Sequence, residues 1–482
     1  MAGRTSGEQT LGAEGSAQGV VLPKRLPLVV SAANRDDSTS KDARLVNCYT
    51  ERLETGDIWV NKRPGLDEQS RPPAANATGR GIYNWKGNIY SIFGTALYKD
   101  GVVVAGAVDG TGGVYSFNSC LGATPRLQLG NGVFGYNYDT AGGLVLINDA
   151  DFPVAFVKGW SYLDTTTYVG TAAAALQGSG INDTVNWDAL NVIVAQIEPD
   201  GGVAVAKQLV YTVLLKEWTT EFFYDAANAT GSPLSPVQGA KVNWGCVSQD
   251  SVQNIDGVLM WVGAGKSASA QVILMEGAKA QAVSTEPIER LLQGATYTAG
   301  QVFSWQMKWA GHSFYVITLK TDNLTLAYDL KERTWQQWTD TNGNYLPIVA
   351  STYDTSRRPL LQHETNGRIY LASDDYTNDD GDLITVDIYT PNFDGGTGRI
   401  KHLNFMEFIR DQTVGSELEV RVNDHDYDPD KWTNFRRVDL STKRSYLTGC
   451  GSFRRRATHL RHRKDTKFRI QAVELQLDLG TL

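Results

Sequence analysis

Short apolar runs broken by tight turns recur along most of this chain at nearly even intervals. The units centre on Gly87 ("YNWKGNIYSIF"), Gly143 ("YDTAGGLVLIND"), Gln208 ("AVAKQLVYTVLL"), Gly257, Gly311 ("WAGHSFYVITLK") and Gly367 ("ETNGRIYLAS"), at spacings of 56, 65, 49, 54 and 56 residues. Glycine supplies the left-handed backbone such turns need. A period of roughly 50 residues holding several short strands is the pattern of sheets stacked radially around an axis. The sequence therefore predicts an all-β fold whose main body is a β-propeller of about six blades over residues 71–390.

One unit shows the logic in detail. In "SFYVITLK-TDN-LTLAYDLKERTWQQWT", Ser313, Tyr315, Ile317 and Leu319 alternate with Phe314 and Val316. Apolar residues on both faces suit a strand sandwiched between neighbouring blades. Asp329 falls where its carboxylate can accept backbone N–H bonds at a turn. Trp335 and Trp338 follow in the outer strand. Ligand stacking is one use for them, but inter-blade packing is the assignment, because aromatics dominate core burial.

The flanks read differently. Residues 1 to about 25 are small, polar and aperiodic, as in a flexible arm. "RLVNCYTE" and "GDIWV" read as strands and "KRPGL" as a turn at Pro64–Gly65, so residues 1–70 form an arm with leading strands. The stretch near 160–195, "YLDTTTYVGTAAAALQGSGINDTVNWDAL", reads as an irregular insert whose alanine run forms a short helix. Residues 391–482 read as an antiparallel β-sandwich-like domain. There "SELEVRVND" alternates cleanly, while "KFRIQAVELQLDLG" slips phase at Ala472–Val473, which calls for a β-bulge.

Recognised chemistry is sparse. Cys48, Cys120, Cys246 and Cys450 lie far apart with no CxxC pair, which argues for buried thiols of a protein made in a reducing cytoplasm. "GAGKS" (263–267) has Met260 where a P-loop needs its first glycine, and "ASAQVILM" after it reads as strand, so it is a hairpin turn. "YTNDDGDLITVD" offers Asn378, Asp380, Gly381 and Asp387 to a calcium register but begins on Tyr376. "NDHDYDPD" spaces Asp424, Asp426, Asp428 and Asp430 around His425. Acidic hairpin turns are commoner than calcium sites in such runs, and no metal or cofactor is assigned. Neither HExxH nor GxSxG occurs, and carboxylates alone do not single out a glycosidase pair. The expectation is a non-enzyme. The N-terminus lacks a signal pattern, no run reaches a membrane-span length, and no membrane insertion is expected.

The strongest local feature is "FRRRATHLRHRKDTKFR", residues 453–469. It holds eight basic residues and one acid in a chain of net charge -8. Arg454, Arg455, Arg456, Arg461, Arg463, Lys464, Lys467 and Arg469 read as a hairpin with cations on both faces. Three uses are open: phosphate contact, a subunit interface where arginine meets a neighbour's acids, or a solvated face. The acidic remainder favours the interface.

Three regions in order then carry a resemblance. "RLVNCYTE…KRPGL" with "GRGIYNWKGNIYSIFGTALYKDG", then "LKEWTTEFFYDAANATGSPLSPVQGAKVNWGCVSQDSV", then the arginine-rich terminal segment resemble the tail hub, or nozzle, proteins of short-tailed bacteriophages, also described as packaged-DNA stabilization proteins. The resemblance spans most of residues 40–482. It departs at "NDHDYDPDKW", which keeps Trp432 but lacks the glycines of the "S-x-D-G-G-x-T-W" turn seen in many relatives. It implies a structural virion protein without catalysis, made in the host cytoplasm and placed in the virion tail. It implies a six-fold ring of the chain below the portal and its adaptor, closing the channel for packaged double-stranded DNA and supporting tail needle, fibre or spike proteins. The cations of 454–469 are then expected to meet neighbouring subunits or the adaptor. A receptor-binding or glycan-cleaving tail propeller, and a cellular Kelch-like interaction module, are the rival classes.

Overall fold

The computed structural model describes residues 24–28, 43–70, 76–121 and 123–480. The expected arm at 1–25 falls almost wholly outside them. Strands dominate, and the one α-helix among the described residues is Glu286–Gln293.

Seven four-stranded antiparallel sheets follow one another: blade 1 at 79–103, blade 2 at 116–146, blade 3 at 157–194, blade 4 at 202–242, blade 5 at 253–282, blade 6 at 302–337 and blade 7 at 348–373. Blade 7 has three strands from its own segment, and its outermost strand is Gly65–Ser70, paired antiparallel with Ile369–Ser373. Seven apolar clusters fill the seams. Tyr315, Ile317 and Leu319 face blade 5, beside Met260 and Val262. Phe314 and Val316 face blade 7, beside Ile348 and Leu361. The ring closes where Ile82, Phe93 and Tyr98 of blade 1 pack on Leu360, Ile369 and Leu371 of blade 7. There the Gln362 side chain accepts from Gly81 N at 2.7 Å and donates to Ile92 O at 2.9 Å.

The blade count exceeds the roughly six expected because residues 157–194 are no insert. They form a complete blade, and Ala175–Gly180 is a strand, not part of a helix. Its core contains Tyr168, Leu176 and Val205 on one side and Phe156, Trp160 and Trp187 on the other.

The second body is a two-layer sandwich. One layer pairs Cys48–Arg52, Ile58–Lys62, Arg469–Leu479, Lys401–Arg410 and Ser445–Thr448 in that order, with Lys24–Leu26 also on Arg469–Leu479. The other pairs Arg44–Val46, Val386–Tyr389, Ala457–His462, Glu417–Asn423 and Arg436–Asp439. Leu45, Val60, Ile388, Met406, Leu460 and Val473 lie in the core between them. The strands at 24–62 are thus part of the sandwich, not a lead-in to the propeller. A register shift leaves Gln471 unpaired between Ile470 and Ala472, one residue ahead of the expected slip, and Ala472 and Val473 are then both buried.

Two joints fix the sandwich to the ring. Arg44–Val46 lies parallel to the outermost strand of blade 6 through Val46 and Gln337. The chain also runs from Ile58–Lys62 through Arg63–Pro64 straight into Gly65–Ser70. The "KRPGL" turn is therefore an extended crossing. Gly65 is required there because a Cβ would stand 2.4 Å from Asn378 O and 2.6 Å from Tyr376 O.

Candidate interface on the sandwich

Residues 453–469 do not form a hairpin. Ala457–His462 belongs to one layer of the sandwich and Arg469–Leu479 to the other. The segment between them turns the edge of the sandwich, anchored by buried Phe468 stacked on His462 at 4.7 Å. The expected alternation overlooked this because Phe468 and His462 are both core residues of a crossing.

The cations divide into two groups. Arg456 is buried, holds Asp424 through two bonds of 2.7 and 2.8 Å, and donates to Cys450 O at 2.6 Å. Arg461 bonds Asp387 at 2.7 Å. Arg469 bonds Glu51 at 3.0 Å and Asn61 at 3.1 Å, over the Trp59 ring. Lys464 lies 3.5 Å from Glu417. These four are held within the chain, by acids that the sequence reading had left elsewhere. Arg454, Arg455, Arg463 and Lys467 are exposed. Of these, Arg454, Arg463 and Lys467 have no ion-pair partner among the described residues.

His459 sits at the centre of this layer. Arg421 Nε donates to its Nδ1 at 2.8 Å, so Nε2 carries the proton and donates to Asp387 at 2.6 Å. Tyr389 stacks on the imidazole at 3.8 Å. Burial lowers the His459 pKa to about 4, against the pull of Asp387. Burial opposes ionisation of Asp387, but His459 and Arg461 outweigh it and hold the carboxyl below its ordinary range. The row Arg421–His459–Asp387–Arg461 is a fixed polar stack.

Arg63 is the joint that the sequence did not disclose. Its side chain is 2% exposed and its guanidinium bonds Asp379 through both terminal nitrogens, at 3.0 and 2.5 Å. It also donates to Asn47 at 3.0 Å and to Thr339 O at 3.2 Å. Asn47 comes from the sandwich, Thr339 from the end of blade 6 and Asp379 from the hairpin beside blade 7. Beside it, Lys62 donates to Lys464 O at 3.1 Å, and burial lowers its pKa to about 8. In "NKRPGL" Arg63 follows Asn61 and Lys62, and nothing in that run marks it as buried.

The remaining sequence candidates have structural roles. Asn378 Oδ1 accepts from Gly381 N at 2.8 Å across a hairpin turn, and Asp380 pairs with Arg368. In the other acidic run Asp428 accepts from Asp430 N at 3.0 Å, and Asp426 from Asn392 at 2.7 Å. The described residues contain no cluster of three or more metal-ligating side chains. "GAGKS" lies in the hairpin between Val258–Gly263 and Gln271–Glu276. Trp335 lies in the seam of blades 5 and 6 and Trp338 in that of blades 6 and 7. A buried triad, Lys216 with Asp200 and Glu221 at 2.6 Å each, is sealed inside blade 4 at 0–1% exposure, out of reach of any substrate. All four cysteines are free thiols.

The chain, a closed ring of sheets carrying a charge-paired sandwich, is a bacteriophage structural protein built on a β-propeller. The chain belongs to the phage stabilisation family described as bacteriophage P22 Gp10, beta-propeller, whose sequence model matches residues 26–345. No curated protein sequence matches. Among solved structures, a catalytically inactive virginiamycin B lyase from Staphylococcus aureus with quinupristin is similar at 7% identity and TM-score 0.42, over 64% of this chain and 99% of that one. YCF48 bound to D1 peptide is similar at 12% identity and TM-score 0.38, again over 64% and 99%.

Proposed function

We propose that this chain forms a tail hub, or nozzle, ring that extends and closes the DNA channel below the portal and its adaptor. In that place it retains packaged DNA and carries needle, fibre or spike proteins. The observation that carries this is the family match over residues 26–345. Two structural features support it. A closed propeller gains rigidity because every blade is buried on both faces. Arg463 and Lys467 lie where the chain turns the sandwich edge and Arg454 at the far end of Ala457–His462, all three exposed and without an ion-pair partner among the described residues, where a neighbouring subunit or adaptor can supply acids.

Gold-labelled antibody on purified particles tests the reading. Label at the tail vertex, against the capsid, is the expected outcome. Label on distal fibres would move the function to receptor binding, and particles without label would remove the chain from the virion.

A further inference from the structure

The outer strands of the seven blades are finished unequally. Those of blades 6 and 7 are covered, by Arg44–Val46 and by Asn378–Asp379. In blade 4, Leu234–Val242 carries Pro236, Gly239 and Lys241, and in blade 5 the strand Lys279–Ala282 is short and opens on lysine. Such residues blunt an edge against further pairing. Blades 2 and 3 carry no lysine or proline on theirs, although that of blade 2 is as short as that of blade 5 and opens on glycine. Their outer strands are Gly143–Leu146 and the twelve-residue Asp183–Val194, which has no lysine, proline or glycine. Val145, Leu146, Val185, Leu190, Val192 and Val194 stand exposed on them, Leu190 at 73%. Val145, Leu146 and Val185 converge on a hollow of about 330 Å³ between the two blades.

The same flank has almost no positive charge. Residues 100–206 contain two basic side chains, Arg126 and Lys158, against ten acids. Arg126 pairs with Asp139 at 3.5 Å, and Lys158 is buried against Asp250. Asp151, Asp164 and Asp188 are exposed. The sandwich is the opposite: residues 391–482 hold 17 Lys and Arg against 13 Asp and Glu, and Arg454, Arg463 and Lys467 have no ion-pair partner among the described residues. Because the sandwich grows from blades 6 and 7, it lies across the ring from blades 2 and 3. Two unlike, complementary patches on one molecule associate head to tail, and such contacts close into a ring when the rotation from one copy to the next closes.

We propose that the flank of blades 2 and 3 is the seat for the exposed cations of the sandwich of a second copy of this chain. The proposal rests on the ring reading above and assigns its two surfaces. Exposed aliphatic side chains fill the centre of the contact, and the Arg454, Arg463 and Lys467 cations meet Asp151, Asp164 and Asp188 at its rim. Rim charges of this kind weaken as salt rises.

The test uses two triple variants of the full chain: Asp151→Lys with Asp164→Lys and Asp188→Lys, and Arg454→Glu with Arg463→Glu and Lys467→Glu. All six side chains are exposed, and thermal melts check folding. Sedimentation velocity at low and high salt is read alongside chemical cross-linking of tails assembled with each chain. The expected result is an oligomeric wild type, association at least ten-fold weaker in either triple variant, and recovery when both sets are combined in one chain. A wild-type oligomer that neither set weakens overturns these surfaces and leaves the ring reading standing. Loss without recovery in the combined chain shows that the two patches do not face each other and also overturns the proposal. A wild type that is monomeric in solution and has no copy of itself as a neighbour in cross-linked tails removes both the surfaces and the ring.

Discussion

At the scale of single residues, His459 ties the stability of the sandwich to pH. In the unfolded chain its imidazole takes a proton near pH 6.5, whereas in the fold burial delays this to about 4. The unfolded state therefore binds more protons between those values. The stabilisation is complete above about pH 6.5 and is lost as the pH falls towards 4. Glutamine can keep both bonds of this histidine, accepting from Arg421 and donating to Asp387. His459→Gln should flatten the slope of stability against pH across that window, by at most about 1.4 kcal/mol per pH unit, read from urea midpoints at a series of pH values. An unchanged slope would show that His459 does not titrate differently in the two states. The basic segment gives a second contrast. Arg456→Leu strands Asp424 without its partner and should cost about 2 kcal/mol, discounted because Asp424 is one-third exposed. Arg463→Ala should stay within about 0.5 kcal/mol of wild type. Equal costs at the two positions would contradict the division of the cations into held and unpaired.

At the scale of elements, the first turn of each blade explains what the sequence disclosed and what it hid. These turns fall at Lys86–Gly87 in blade 1, Asp164–Thr165 in blade 3, Leu209–Val210 in blade 4, Asp256–Gly257 in blade 5 and Ala310–Gly311 in blade 6. Where glycine holds the turn, the unit was legible. Blade 3 lacks it, and its alanine run has high helix propensity, so a strand fixed by its neighbours looked like an insert. The even spacing also mixed unlike turns, since Gly143 and Gly367 belong to later hairpins of blades 2 and 7. Leu209 shows the cost of departing from the pattern: it adopts φ +54° while 60% exposed. Left-handed backbone costs a side chain such as leucine roughly 1–2 kcal/mol, and asparagine tolerates it better. Leu209→Asn should therefore stabilise the chain by about 0.5–1 kcal/mol, visible as a higher Tm. Gly159 lies at the other extreme: it adopts φ +100°, and a Cβ there would stand 1.8 Å from Val205 O, in the seam between blades 3 and 4. Gly159→Ala should cost more than about 3 kcal/mol or prevent folding, and a soluble variant with an unaltered Tm would refute the seam as drawn.

At the scale of the whole molecule, the first and last described strands are tied into one body. Lys24–Leu26 pairs with Val473–Leu475, and Gly65–Ser70 completes blade 7 beside Ile369–Ser373. Sequence alternation could identify these strands but not their partners, which lie hundreds of residues away. The buried arginine in "KRPGL" looked like part of a turn for the same reason: its acid, Asp379, comes from a distant hairpin. Arg63 is where this long-range closure is concentrated, because its guanidinium binds the sandwich at Asn47, blade 6 at Thr339 and the blade 7 hairpin at Asp379. If that joint couples the two bodies, wild type unfolds in one calorimetric transition, with calorimetric and van't Hoff enthalpies equal. Arg63→Met leaves Asp379 without its partner and should cost about 3 kcal/mol. It should also split the transition into a sandwich step and a propeller step, while Arg63→Lys, keeping charge but not the two-pronged bond, falls between. Both steps should move downwards between pH 6.5 and about 4, the sandwich with His459 and the propeller with His363, and adding His459→Gln identifies the sandwich step because it flattens that shift alone. A single transition in Arg63→Met at an unchanged Tm would mean that the bridge from Val46 to Gln337 couples the bodies instead.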